Sequence, residues 1–248
     1  MEGNYLNYQF SIFGDFSDIT PNDSKNVIEL LKLYEDMNFI PSIFQEIPLG
    51  GLPSKLTNRI MLSNSDGWSM NIGNVRIDLS ISKNEKSKFK DMNIDEILVE
   101  VKEIFKRFLN LYNKKCNRIA FNTLFLFELQ QSQQIDDKHA EKGNLIQFYN
   151  ENKIEEWNEK YISQVEEQSL DNEIINIGTL LNKSSGEILL GNKGITFENN
   201  IVLQFDINTT PRISTHRFDD VKVNMFFDIA KSYKNILETH IQGIIDNE

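Results

Sequence analysis

One run of apolar residues at helical spacing passes directly into a run of strand-like density, and this join constrains the chain more than any other feature. In NIDEILVEVKEIFKRFLNLYNKK, Ile94, Ile97, Leu98, Val101, Ile104, Phe105, Phe108, Leu109 and Tyr112 recur every three or four residues. That spacing lays one broad apolar stripe along a helix. Asn93 is placed to cap the first turn, with Glu96 three residues on to reach back to it. Beyond Asn117, the content of Ile119, Phe121, Leu124, Phe125, Leu126 and Phe127 suits a buried strand. A helix with a stripe to bury and a strand with a face to bury satisfy each other, so the theme is helix against sheet.

The rest of the chain repeats that theme. Residues 4–13 alternate, with Leu6, Tyr8, Phe10 and Ile12 on one face and Asn7, Gln9 and Ser11 on the other, as in a half-buried strand. Thr20, Pro21 and Asp23 read as the cap, first position and capping acid of a helix that ends near Asn38. A short extended piece follows at 43–47, then an irregular loop with Gly50 and Gly51. Three strands follow at 59–63, 68–72 and 75–82, with turns at 64–67 and around Gly73 and Asn74. The polar run 83–91 leads to the central helix. Residues 130–144, QQSQQIDDKHAEKGN, are the least periodic stretch and read as a polar linker or loop. A helix is expected over about 145–170, where Trp157 and Tyr161 stand four apart. Strands follow at 173–181, 187–190 and 200–208, with GNKG at 191–194 as a hairpin turn. A long helix over about 218–245 closes the chain. The expected class is therefore α+β: a largely antiparallel sheet with long amphipathic helices packed on it. It has two related halves, 1–129 and 145–248, packed as one unit.

Composition narrows function mainly by exclusion. A net charge of -11 over 248 residues opposes non-specific nucleic-acid binding and anionic membrane surfaces. Nucleic-acid binding would need Lys83, Lys86, Lys88 and Lys90 to gather with other basic residues on one face. No apolar run approaches the ~20 residues that span a bilayer. Cys116 is the lone cysteine, which fits a reducing compartment. The acidic N-terminal stretch carries no pattern of a secretory signal, so a cytoplasmic protein is expected. The 31 Ile and 29 Asn against 3 Ala point to an AT-rich, bacterial or phage coding background.

Several stretches together carry a family likeness: IPSIFQEI, NVRIDLSI, FKRFLNLYNKKCNRIAFNTLFLF, VLQFDINTT and FDDVKVNMFFDIAKSYKNIL. With these the chain resembles a loose, sporadically distributed family of uncharacterised bacterial proteins of about 250 residues. The resemblance implies an intact α+β domain and a mobile-element setting, with phage defence or antagonism of a partner toxin as the implied role. Members often carry a His in the final helix, and MFFDIAKSYKNI has none near its middle, so the likeness supplies no catalytic residue.

The residues themselves offer few chemical candidates. Asp136, Asp137, His139 and Glu141 form the densest group of metal-ligand types, but solvated side chains explain them more simply, and no metal or cofactor is expected. Cys116 lies beside Lys114, Lys115 and Arg118, which lower a thiol pKa only where it is exposed, and no base is positioned nearby. GGLPSK lacks phosphate-loop spacing. The loop TTPRISTHRFDD at 209–220 is the richest: Arg212, Ser214, Thr215, His216 and Arg217 precede a helix, where backbone N–H groups and Arg side chains hold anions. Against that reading, Ser214 or Thr215 would simply cap the helix, and Asp219 and Asp220 would favour its positive end and repel an anion. Asp78 and Asp206 fall on polar strand faces, with Arg76 or Arg59 as structural partners. The expected function is a non-enzymatic module that binds a protein partner, and exposed strand edges permit a homodimer by edge pairing. The rival is an enzyme or sensor that takes a phosphate-containing ligand at the 209–220 loop.

Overall fold

The computed structural model describes residues 5–47, 56–82, 92–142, 154–190 and 193–246. The Gly50–Gly51 loop, the 83–91 connector with its four lysines, residues 145–153 and the tip of GNKG lie outside them.

Strand β1 (Tyr5–Phe13) organises the sheet because it is paired on both edges. Phe10 stands opposite Leu79 of β5 (Arg76–Ser82) on one side and opposite Phe121 of β6 (Arg118–Leu126) on the other. Beyond β5 run β4 (Trp68–Ile72), β3 (Thr57–Ser63) and β2 (Ile40–Glu46). Beyond β6 run β9 (Lys193–Thr209), β8 (Glu173–Leu190) and β7 (Trp157–Glu167). The result is one nine-stranded sheet, ordered β2-β3-β4-β5-β1-β6-β9-β8-β7, with every neighbouring pair antiparallel. Strands from the two halves of the chain meet at β6 and β9, where Phe121 faces Ile207. The sheet thus runs through the seam between the expected halves.

Four helices cover one face. α2 (Ile94–Leu111) carries the chain from β5 over β1 to β6, and its start is the expected capping box of Asn93 and Glu96. α4 (Asp220–Asp246) lies beside it, and Phe227 ties both helices to the sheet. Its ring meets Phe10 edge-on at 5.4 Å and stacks with Phe105 of α2 at 5.8 Å. Aromatic pairs at these distances add about 1 kcal/mol each to the area they bury. α1 (Ser24–Leu33) docks through the loop that follows it, where Tyr34 donates a hydrogen bond to the Ile104 carbonyl at 2.9 Å. Among the described residues no helix is long and apolar enough to cross a membrane.

Three local expectations are corrected. α1 begins at Ser24, with Asp23 rather than Thr20 as its cap, accepting the Lys25 N–H at 3.0 Å. Asn26 donates to the Asp18 and Thr20 carbonyls, which holds that stretch in a turn and delays the helix. The polar segment read as a linker or loop forms α3 (Leu129–Lys142), anchored when Ser132 Oγ accepts the Ile201 N–H at 2.9 Å. From Trp157 onward the helix expected at 145–170 gives way to β7, since residues four apart share a side in a strand as well as in a helix.

Arg59 is the most consequential buried side chain in the sheet. Its guanidinium is 2% exposed and donates to the carbonyls of Phe16 and Gly73 at 2.8 Å, Ile72 at 3.2 Å and Ser17 at 3.4 Å. The Glu46 carboxylate lies 3.8 Å away. One side chain thus ties the 14–20 loop to the β4–β5 turn and to the edge strand. Replacing Arg59 with Leu takes a donor from all four carbonyls, of which that of Phe16 keeps the Ile19 N–H, and a loss of about 3 kcal/mol is expected. Urea denaturation checks it, as a lower midpoint at unchanged slope.

Candidate functional site

With the helices on one side, the even-numbered rungs of β7, β8 and β9 and the odd-numbered rungs of β1 face outward. Cross-strand register sorts these side chains into rows. One row reads Asp78, Ser11, Ala120, Asn208, Asn176 and Gln164 from β5 to β7. The next reads Ser80, Gln9, Asn122, Asp206, Gly178 and Ile162, and a third places Asn7, Leu124, Gln204, Leu180 and Lys160 side by side.

The first row is wired in one direction. Gln164 donates to Asn176 at 2.8 Å, Asn176 to Asn208 at 3.1 Å, and Asn208 to Asp206 in the adjoining row at 2.9 Å. A carboxamide donates through nitrogen and accepts through oxygen, so such a relay ends best on an acceptor-only group, here the Asp206 carboxylate. On β5, Asp78 is a second terminus, accepting from Ser11 at 2.6 Å, Gln9 at 3.0 Å and Arg76 at 2.8 Å. The Arg76 partnership is the structural pairing expected for this acid.

These rows form the floor of a trough of about 590 Å³. Gly178 deepens it: a Cβ there would sit 3.2 Å from the Asp206 carbonyl, so the row carries no side chain between Asp206 and Ile162. Leu124, Leu180 and Ile162 make one end apolar, while Asn176, Asn208 and Arg212 make the other polar. Arg118 closes the neighbouring hollow, its guanidinium 4.6 Å from the centre of the Phe13 ring, and burial lowers its pKa.

The residues of the 209–220 loop do not act together. Arg212 lines the trough, but His216 and Ser214 line a separate hollow with Asn117 and Arg118. Arg217 is committed to structure, bound bidentately to Glu173 at 2.7 and 3.0 Å and lying 4.4 Å from the centre of the Phe218 ring. Thr215 offers its carbonyl to Arg217 at 3.4 Å. The cap of α4 is neither Ser214 nor Thr215 but Asp219, which accepts the Lys222 N–H at 3.0 Å.

The remaining candidates resolve into packing. Cys116 is fully buried, burial pushes its thiol pKa upward, and Sγ lies 3.5 Å from the Phe218 carbonyl. Asp136 accepts from the Trp157 indole at 2.8 Å and pairs with Lys183 at 2.6 Å. His139 stacks on Trp157 with ring centres 4.1 Å apart and meets Glu159 at 2.9 Å, so these groups clamp α3 to β7 and β8. Asp137 accepts from Gln133 at 2.7 Å. Among the described residues no group of three His, Cys, Asp or Glu side chains is placed to hold a metal ion.

A buried cluster that the sequence did not announce joins α4 to β1. Lys234, 4% exposed, pairs with Glu238 at 2.8 Å and lies 4.6 Å from the centre of the Tyr5 ring. Tyr5 donates to the same carboxylate at 2.5 Å. Burial lowers the Lys234 pKa, with Glu238 opposing, whereas burial and the Glu238 charge raise that of Tyr5. These three side chains lie in the last helix and the first strand, at opposite ends of the chain, so only the fold brings them together.

This arrangement defines a class of protein by its architecture: a single antiparallel sheet with helices on one face and an open polar trough on the other. The chain matches no family model, and no curated protein matches it.

The buried tyrosines give a pH dependence. Burial raises the pKa of Tyr5, Tyr8 and Tyr34 above the ordinary value of 10.0. A group with a raised folded-state pKa contributes stability that is complete below its unfolded value and is lost as pH climbs toward the folded one. Stability is therefore expected to fall above pH 10, with tyrosinate absorbance from these rings appearing only as the chain unfolds. A spectrophotometric titration followed in parallel by circular dichroism checks the coincidence.

Proposed function

We propose that this protein is a non-enzymatic binding module that recognises a protein partner through the open face of its sheet. The trough is the observation that supports this reading. Its carboxamides each donate and accept, which suits the backbone amides of a bound chain, and Leu124, Leu180 and Ile162 supply apolar area beside them. A surface that is polar and open yet partly apolar fits a macromolecular contact better than an enclosed small-molecule site. The family resemblance and its mobile-element setting belong to this reading, with phage defence or toxin antagonism as the biological context.

A second reading rests on Arg212, which reaches the polar end of the trough near Asn208 and leaves room for a small anionic ligand, including a phosphate-containing one. The two separate in one experiment. Tagged protein purified gently from its native host is compared with the Leu180→Glu variant in the trough and with Val99→Glu on the exposed side of α2. The expected result is a stoichiometric protein partner held by wild type and Val99→Glu, with recovery reduced about tenfold by Leu180→Glu. Equal recovery by all three would overturn the trough as the binding surface. A bound small anion, lost on Arg212→Ala, would move the assignment to the second reading.

A further inference from the structure

The two ends of the sheet are guarded very differently. At one end, β2 is seven residues long and carries Pro41, which removes a backbone donor from the edge. At the other, β7 is eleven residues long, pairs with β8 along its whole length, and contains neither proline nor glycine. No described strand takes up its outer edge. Tyr161 and Ile162, in the middle of β7, are each 61% exposed. A long, regular edge with exposed apolar side chains is a template for another strand.

We propose that a second copy of this chain pairs antiparallel on the outer edge of β7, about a two-fold axis through Ile162. This inference is independent of what the trough binds. An axis normal to the sheet keeps the helices of both copies on the same side, so each side chain must meet a partner on its own face. Even-numbered residues then meet even-numbered ones, and odd meet odd, which limits the registers.

Placing the axis at Ile162, the central residue of Trp157–Glu167, pairs all eleven residues. On the trough face Ile162 meets its own copy, Lys160 meets Gln164, and Asn158 meets Glu166. On the helix face Tyr161 meets Ser163, Glu159 meets Val165, and Trp157 meets Glu167. No like charges stand opposite one another. Diagonally, Lys160 of each copy approaches Glu166 of the other, within reach of long side chains.

The neighbouring registers are poorer. An axis at Ser163 sets Glu159 against Glu167 twice, and one at Tyr161 sets Lys160 against Ile162 and leaves the strand ends unpaired. At Ile162 the one unfavourable diagonal, Glu159 with Glu167, involves acids already engaged in their own subunit. Glu159 meets His139 and Tyr161, and Glu167 meets Ser169 and Tyr233.

Such pairing would join the two sheets edge to edge. Lys160, Ile162 and Gln164 line the trough near the pairing edge, so the two troughs would become one surface across the axis.

Size-exclusion chromatography with light scattering tests the assembly on the full chain. Wild type is expected at twice the 28.9 kDa chain mass. Ile162→Lys, which puts like charges on the axis, is expected to weaken the dimer at least about tenfold. Lys160→Glu is expected to weaken it too, and the double charge swap Lys160→Glu with Glu166→Lys to restore it. Circular dichroism on each variant separates loss of pairing from loss of fold, and the restored double variant does so directly. A wild-type chain that stays monomeric, or a dimer indifferent to both Ile162→Lys and the charge reversal, would overturn the proposal. Neither result bears on partner recovery by the Leu180→Glu comparison.

Discussion

The pairing of β1 on both edges is the constraint on which the other elements depend. Its alternation puts Tyr8, Phe10 and Ile12 on the covered face and Asn7, Gln9 and Ser11 on the open one. Because β5 and β6 both run antiparallel to β1, they run parallel to each other. Only a crossover can join them, and α2 supplies it across the covered face. Once α2 is laid there, Phe105 and Phe10 define the slot that Phe227 fills, which sets the position of α4. A one-residue slip of β1 would turn every one of these side chains to the wrong face.

Covering one face only divides the polar chemistry of the protein in two. The buried charges are paired: Arg59 with backbone carbonyls at one end of the sheet, and, under the helices, Lys183 with Asp136 and Lys234 with Glu238. Replacing a whole pair of this kind by apolar groups of the same shape costs little, whereas leaving one member without its partner is costly, so such pairs penalise wrong arrangements heavily. They therefore specify where the 14–20 loop, α3 and α4 must sit. On the open face the same residue types are wired side by side along the pleat, ending at Asp78 and Asp206, and solvent reaches them.

What could be read from the residues alone was what is encoded locally. The α2 stripe and the Asn93–Glu96 box lie within one stretch of chain, as do the turns at 64–67 and 73–74, and the structure contains them. The antiparallel sheet with helices on one face followed from strand alternation and helix stripes together. α3 escaped because its buried side is partly polar: Ser132 is buried with Ile135, and Asp136 and His139 are occupied by Lys183 and Trp157. Hydropathy has no means of seeing a face held by hydrogen bonds. The trough escaped for a different reason. Gln9, Asn122, Asp206 and Gln164 are ordinary polar residues on their own strands, and only pairing across long sequence separations makes them neighbours. The anion reading of the 209–220 loop relied on nearness in sequence, whereas the strands send Arg212 and His216 to different hollows and lock Arg217 onto Glu173.

The place of β1 in the sheet has a consequence for how the protein is made. Of the nine described strands it leaves the ribosome first, and both its partners follow much later in the chain. At ordinary synthesis rates roughly ten seconds pass between the emergence of Phe13 and that of Leu126. Through that interval Tyr8, Phe10 and Ile12 have neither a second strand edge nor the helical cover that buries them. The first hairpin to be completed, β2 with β3, forms away from β1, and the centre of the sheet is closed only after its flank exists. A nascent chain of this protein therefore carries β1 with an open edge for longer than any other described strand waits for its neighbour.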